Sequence, residues 1–201
     1  MGKTSLTSLT RMASLTSITS LTSMARITSK TRMIRVLDII EDTMVDGPGF
    51  RTSIYCAGCR HQCPGCHNPQ SWAFEQGREM STAELMKIIV ADPYANVTFS
   101  GGDPMYQAAG FAELARAIHA ATNKDIWCFT GFTFESLIND DQRELLGQIE
   151  VLVDGPYIEK LRDPDLLFRG SSNQRLIDVP ASLYAGKTIL WLPDIAVTDC
   201  K

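Results

Sequence analysis

Four of the six cysteines fall within eleven residues, at Cys56, Cys59, Cys63 and Cys66, and this crowding limits what the chain can be more than any other feature. Thiols packed into one short loop cannot staple distant parts of a small secreted domain, which is where disulfide frameworks occur. Cys128 and Cys200 stand alone. The pattern points to a metal site in a reducing cytoplasm. With 201 residues, 44% of them hydrophobic, the chain can bury a core without such staples, and its length suits one domain with a short appendage. Acidic residues outnumber basic ones by 23 to 19, which argues against a nucleic-acid binder that neutralises phosphates. No apolar run approaches the roughly 20 residues that cross a bilayer.

The appendage is the segment 1–32. Leu6, Leu9, Met12, Leu15, Ile18, Leu21, Met24 and Ile27 recur every third residue within a Ser/Thr-rich repeat. A period of three builds neither a helix face nor a strand face, because helices repeat every 3.6 residues and strands every two. Five basic residues and no acidic one lie here, which leaves residues 33–201 at a net charge of −9 against −4 for the whole chain. Composition allows a transit peptide. Strict repetition favours a repeat in the coding DNA or an upstream start, with the globular part beginning at Met33.

From Met33 onward, strand-like and helix-like pieces alternate. Ile34–Ile40 and Thr52–Tyr55 read as strands around the Gly47-Pro48-Gly49 turn, with the cysteine loop after the second. Ser81 followed by Glu84 is a capping box that opens a helix running to about Asp92-Pro93. Asn96–Ser100, Asp125–Thr130, Glu150–Val153 and Thr188–Leu192 read as further strands, and Phe111–Ala121 and Phe134–Leu146 as helices. Such repeated units predict an α/β fold with a mostly parallel sheet covered by helices. Chemistry then belongs on the loops at the strands' carboxyl ends: the cysteine loop, Gly101-Gly102, Thr130-Gly131 and Asp154-Gly155.

Cys59-x3-Cys63-x2-Cys66 supplies three thiolates, the ligands of iron–sulfur clusters. Three ligands leave one iron of a 4Fe-4S cube open, as catalytic zinc sites leave one position vacant. The rival is a closed zinc site that uses Cys56 as well, in a non-enzymatic binding module. Only three residues between the two Cys-x2-Cys knuckles would make that chelate cramped. Gly101 and Gly102, without Cβ atoms, allow close approach of a ligand or simply turn the chain. Asp103 could bind a ligand amino group or cap the following helix. Arg169, Asn173 and Arg175 could dock a partner or a carboxylate, or form a solvated polar loop.

The cysteine loop together with Ser100-Gly101-Gly102-Asp103-Pro104 resembles the radical S-adenosylmethionine superfamily. Within it, Val45-Asp46-Gly47-Pro48-Gly49-Phe50-Arg51, Cys63-Pro64-Gly65-Cys66-His67-Asn68, Trp127-Cys128-Phe129-Thr130-Gly131-Phe132, Asp154-Gly155-Pro156 and Phe168-Arg169-Gly170-Ser171-Ser172-Asn173-Gln174-Arg175 are similar to the activases of anaerobic ribonucleoside-triphosphate reductases. The likeness runs from about Met33 to the C-terminus. It implies a partial, open (βα) barrel over residues 33–201, with Cys59, Cys63 and Cys66 as ligands of one 4Fe-4S cluster and Cys56 outside the ligand set. It implies S-adenosyl-L-methionine as cofactor, contacted by Gly65, Cys66, His67, Ser100, Gly101, Gly102, Asp103 and Thr130, and it puts Asp46 at the rim of the site. Gly65 replaces the aromatic residue that most of the superfamily carries before the third cysteine.

The implied activity starts with an electron from a flavodoxin-type donor, which cleaves the sulfonium to methionine and a 5'-deoxyadenosyl radical. That radical takes a hydrogen atom from one glycine Cα in the large reductase subunit. An activase of another glycyl-radical enzyme, such as pyruvate formate-lyase, is the near alternative. The short chain, Gly65 and the Phe168–Arg175 motif count against it.

Overall fold

The computed structural model describes residues 32–193, so the repeat tail up to Thr31 and Cys200 lie outside the described residues. A seven-stranded sheet organises the chain in the order β3-β1-β2-β4-β5-β6-β7. Its strands are β1 (Met33–Thr43), β2 (Arg51–Cys56), β3 (Arg78–Ser81), β4 (Asn96–Gly101), β5 (Ile126–Phe129), β6 (Val151–Asp154) and β7 (Arg175–Asp178). The four central strands β2, β4, β5 and β6 run parallel to one another, while β1, β3 and β7 join antiparallel. The fold is therefore α/β with a parallel centre and antiparallel flanks. The sheet is open, with β3 and β7 at its edges.

Four helices among the described residues accompany it: α1 (Thr82–Ile89), α2 (Ala108–Ala121), α3 (Asp140–Leu146) and α4 (Val179–Ala185). Strand residues alternate between faces, and the alternation decides where the helices lie. Val36, Ile54, Phe99, Cys128 and Leu152 point into one core with Leu85, Ile89, Phe111, Leu114, Ile118 and Leu145 from α1, α2 and α3. Their neighbours Leu37, Tyr55, Ser100 and Phe129 turn to the other face, where a cavity of about 680 Å³ opens. Beside it a smaller cluster joins Trp127, Val151, Val153 and Leu176 to Phe168 and Trp191.

Several elements differ from the expectation. The stretch 134–146 is not one helix: a 3-10 turn over Phe134–Ser136 is broken at Leu137, and Asn139 caps α3 by accepting from the Gln142 amide. Thr188–Leu192 forms no strand, only an isolated bridge from Leu190 to Ile177. The Asp178 amide donates to the Ile189 carbonyl at 2.9 Å and the Trp191 amide to the Leu176 carbonyl at 2.8 Å, so the segment meets β7 over this one bridge, while the Ile189 amide donates to Ser182 Oγ at 2.8 Å and ties it to α4. The last strand among the described residues is Arg175–Asp178, which pairs with β6.

Candidate functional site

The cysteine loop leaves β2 at Cys56, whose side chain is fully buried in the core and does not line the cavity. The Gly58 and Cys59 amides then donate to the carbonyls of Ser71 and Trp72 at 2.6 and 3.0 Å, closing residues 57–72 into a compact lobe. Left-handed backbone at Gly58, Gln62 and Gly65 winds the chain tightly inside that lobe. Cys59, Cys63 and Cys66 all open onto the cavity. Burial raises the Cys59 thiol to about 11 and pushes Cys63 up too, so both thiols are protonated near neutral pH and a metal centre must displace their protons. The four-cysteine zinc arrangement is not assembled, because Cys56 faces away into the sheet.

Gly101 and Gly102 end β4 beside this lobe. Gly101 has φ of +98°, and a Cβ on Gly102 would lie 2.5 Å from the Gly58 carbonyl oxygen. The Gly102 amide donates to the Cys56 carbonyl at 2.7 Å, and the Asp103 amide to the Gly58 carbonyl at 2.9 Å. The glycines thus lock two loops together backbone to backbone, and Ser100, Gly101 and Gly102 also line the cavity.

Asp103 is fully buried behind that wall, with its carboxylate taken up by protein donors. Oδ1 accepts from the Met105 amide, which caps the 3-10 turn Pro104–Gln107. Oδ2 accepts from His61 Nε2 at 2.9 Å and from the Gly131 amide at 3.0 Å, and Thr130 Oγ1 lies 2.9 Å from both oxygens. Its geometry is that of a hub which fixes Thr130 and Gly131 at the cavity.

Among the other sequence candidates, His67 lines the cavity and packs against Tyr157 with ring centroids 4.8 Å apart. Gly65 lies outside the lining, at a turn beside the Glu159 carboxylate. Asp46 lines the cavity and accepts from the Tyr55 hydroxyl. Its loop is anchored by fully buried Arg51, which donates to Thr98 Oγ1, while Thr98 donates to the Asp46 carbonyl at 2.9 Å. Arg175 is committed to Asp154 and Glu135. Arg169 and Asn173 bond the carbonyls of Gln174 and Pro156, leaving Arg169 Nε and Asn173 Oδ1 buried with no partner among the described residues. Sequence reasoning missed His61 at the cavity wall, although its place between two cysteines was a usable signal.

The donor set suits a cluster held on three sides. Three thiols converge on one cavity, a fourth is withheld by burial, and the remaining space has the size of a small-molecule site. The family described as 4Fe-4S single cluster domain matches residues 45–177. Fold, loop and match together define an iron–sulfur protein of the 4Fe-4S single cluster domain family.

The chain is similar to the anaerobic ribonucleoside-triphosphate reductase-activating protein of Salmonella typhi, 39% identical over 140 residues that cover 65% of this chain and 90% of the relative. It is 37% identical over 139 residues to that of Escherichia coli K12, with the same coverage. The corresponding protein of Enterobacteria phage T4 is 36% identical over 138 residues, 66% of this chain and 86% of the relative. The chain belongs to the family of anaerobic ribonucleoside-triphosphate reductase-activating proteins. No helix among the described residues is long and apolar enough to cross a membrane.

Proposed function

We propose that this chain is a radical S-adenosylmethionine activase acting in the cytoplasm, with residues 33–201 as its catalytic domain and residues 1–32 outside it. The observation that carries the reading is the convergence of Cys59, Cys63 and Cys66 on a cavity walled by Ser100, Gly101, Gly102 and Thr130, with Cys56 withheld. When bound, a 4Fe-4S cluster and S-adenosyl-L-methionine supply one-electron cleavage of a sulfonium carbon–sulfur bond, giving methionine and a 5'-deoxyadenosyl radical that abstracts hydrogen from a glycine Cα of the large reductase subunit.

The three cysteines would hold the cluster, each giving up its thiol proton. Cys66, Ser100, Gly101, Gly102 and Thr130 would shape the cofactor's seat; His67 would flank it from the rim, and Gly65 would set the turn that aims Cys66. Asp103 would act from behind, holding Thr130 and the Gly131 amide in place. The strands would curl into a partial, open barrel, whose unclosed side admits a peptide segment of the partner. A flavodoxin-type protein would deliver the electron.

The test is an anaerobic mixture of the reconstituted chain, a reductant, S-adenosyl-L-methionine and the large subunit of an anaerobic ribonucleoside-triphosphate reductase. An organic radical on the large subunit, formed together with methionine and dependent on the cofactor, is the expected result. Methionine release with no radical on the large subunit, but with one on pyruvate formate-lyase in a parallel mixture that contains it instead, would move the reading to the other activase class. No cofactor cleavage from a reduced, cluster-loaded chain would overturn it.

A further inference from the structure

His61 lies in the middle of the chelating loop, two residues from Cys59 and two from Cys63. Its Nε2 donates to Asp103 Oδ2 at 2.9 Å, and Asp103 is itself anchored to the Met105 amide, Thr130 and the Gly131 amide. The imidazole is also held from its sides. Its ring stands edge-on to Phe132 with centroids 4.6 Å apart and lies 5.6 Å from Tyr106. Gly131 makes room for it, since a Cβ there would come within 2.5 Å of the ring. These contacts tie the cysteine loop to the ends of both β4 and β5.

The tie has something to resist. Gln62, the next residue, has φ of +48°, a left-handed conformation that costs a non-glycine residue about 1 kcal/mol or more. It sits between His61 and Cys63, so a loop released from Asp103 could relax there and carry Cys63 away from Cys59.

We propose that His61 is a positioning residue for the iron–sulfur centre: its bond to Asp103 pins the loop so that Cys59 and Cys63 are held at ligating separation. The inference rests on the cluster assignment above and adds a residue to it. Outer contacts of this kind commonly change metal retention by about 10- to 100-fold.

The test compares His61→Phe, which keeps a ring against Phe132 and Tyr106 but cannot donate, with His61→Gln, whose amide nitrogen stands the same number of bonds from Cα as Nε2. Anaerobically reconstituted proteins are challenged with an iron chelator, and their rates of iron loss are compared. His61→Phe is expected to lose iron about 10-fold faster or more than wild type, with His61→Gln close to wild type. Adding Gln62→Gly to His61→Phe should recover part of the retention. Should the phenylalanine variant not fold, His61→Asn, whose amide stops one bond short of Asp103, takes its place. Equal iron retention in His61→Phe and wild type would overturn the proposal, as would a glutamine variant as impaired as the phenylalanine one. Failure of the wild type to bind iron would instead overturn the cluster assignment.

Discussion

At Gly102, one methyl group separates a working contact from a collision. A Cβ there would meet the Gly58 carbonyl oxygen at 2.5 Å, backbone against backbone, with no flexible side chain to yield. Gly102→Ala is therefore expected to lower the denaturation free energy of the apo chain by about 1–3 kcal/mol and to impair cluster loading, because Gly58 precedes Cys59. Gly147→Ala is the control. Its φ is −67° and its nearest neighbour would be at 3.6 Å, so it should be neutral or stabilising by up to about 1 kcal/mol. Arg175 supplies the second case at this scale. It bridges the buried Asp154 and the exposed Glu135, and its guanidinium, with the Thr188 hydroxyl, holds the Glu135 carboxyl down at about 2. A carboxyl depressed in the folded state adds stability that is complete above its ordinary value near 4.5 and is lost as pH falls through about 2. Acid titrations of Glu135→Gln should accordingly show a flatter loss of stability than wild type between about pH 4.5 and 2. Identical acid profiles would mean that this exposed pair contributes nothing.

Helix α1 shows which elements a sequence can announce. Ser81 Oγ accepts from the Glu84 amide at 3.3 Å while the Glu84 carboxylate accepts from the Ser81 amide at 2.8 Å, the reciprocal cap that the Ser81/Glu84 spacing predicts. Ser81→Ala should cost about 1 kcal/mol in chemical denaturation, and an unchanged midpoint would show that packing of Leu85 and Ile89 alone defines this end. The central strands were legible for a similar reason: their apolar runs stop at glycines that leave the sheet. β3 and β7 were not. Each has four residues with a charged one at its start, too short for a period to register, and each is a strand because β1 or β6 offers it a partner. The division of 134–146 had a local signal that the reading passed over, since Asn139 is a favoured N-cap type with Gln142 three residues on and Asp140 and Asp141 in the first turn. In the site, the three cysteines and the glycine loop could be read from spacing, as local features. Asp103 as a buried hub and His61 as its partner could not, because their bond spans 42 residues of sequence and exists only once β2 and β4 are neighbours.

On the scale of the whole molecule, the sheet separates two tasks. Its helix-covered face buries the core, while its other face and the carboxyl ends of β2, β4, β5 and β6 surround the cavity. Cys56 and Cys59 mark the boundary: three residues apart, one fills the core and the other opens onto the cavity. The account stands or falls on that boundary. The most direct measurement is the iron content of the anaerobically reconstituted chain and the EPR spectrum of its reduced form, with and without S-adenosyl-L-methionine, for wild type, Cys56→Ala and Cys59→Ala. Close to four irons per chain in wild type and Cys56→Ala, a signal that changes when the cofactor is added, and loss of both in Cys59→Ala are predicted. A single zinc that disappears with Cys56, together with a spectrum silent to the cofactor, would contradict the account.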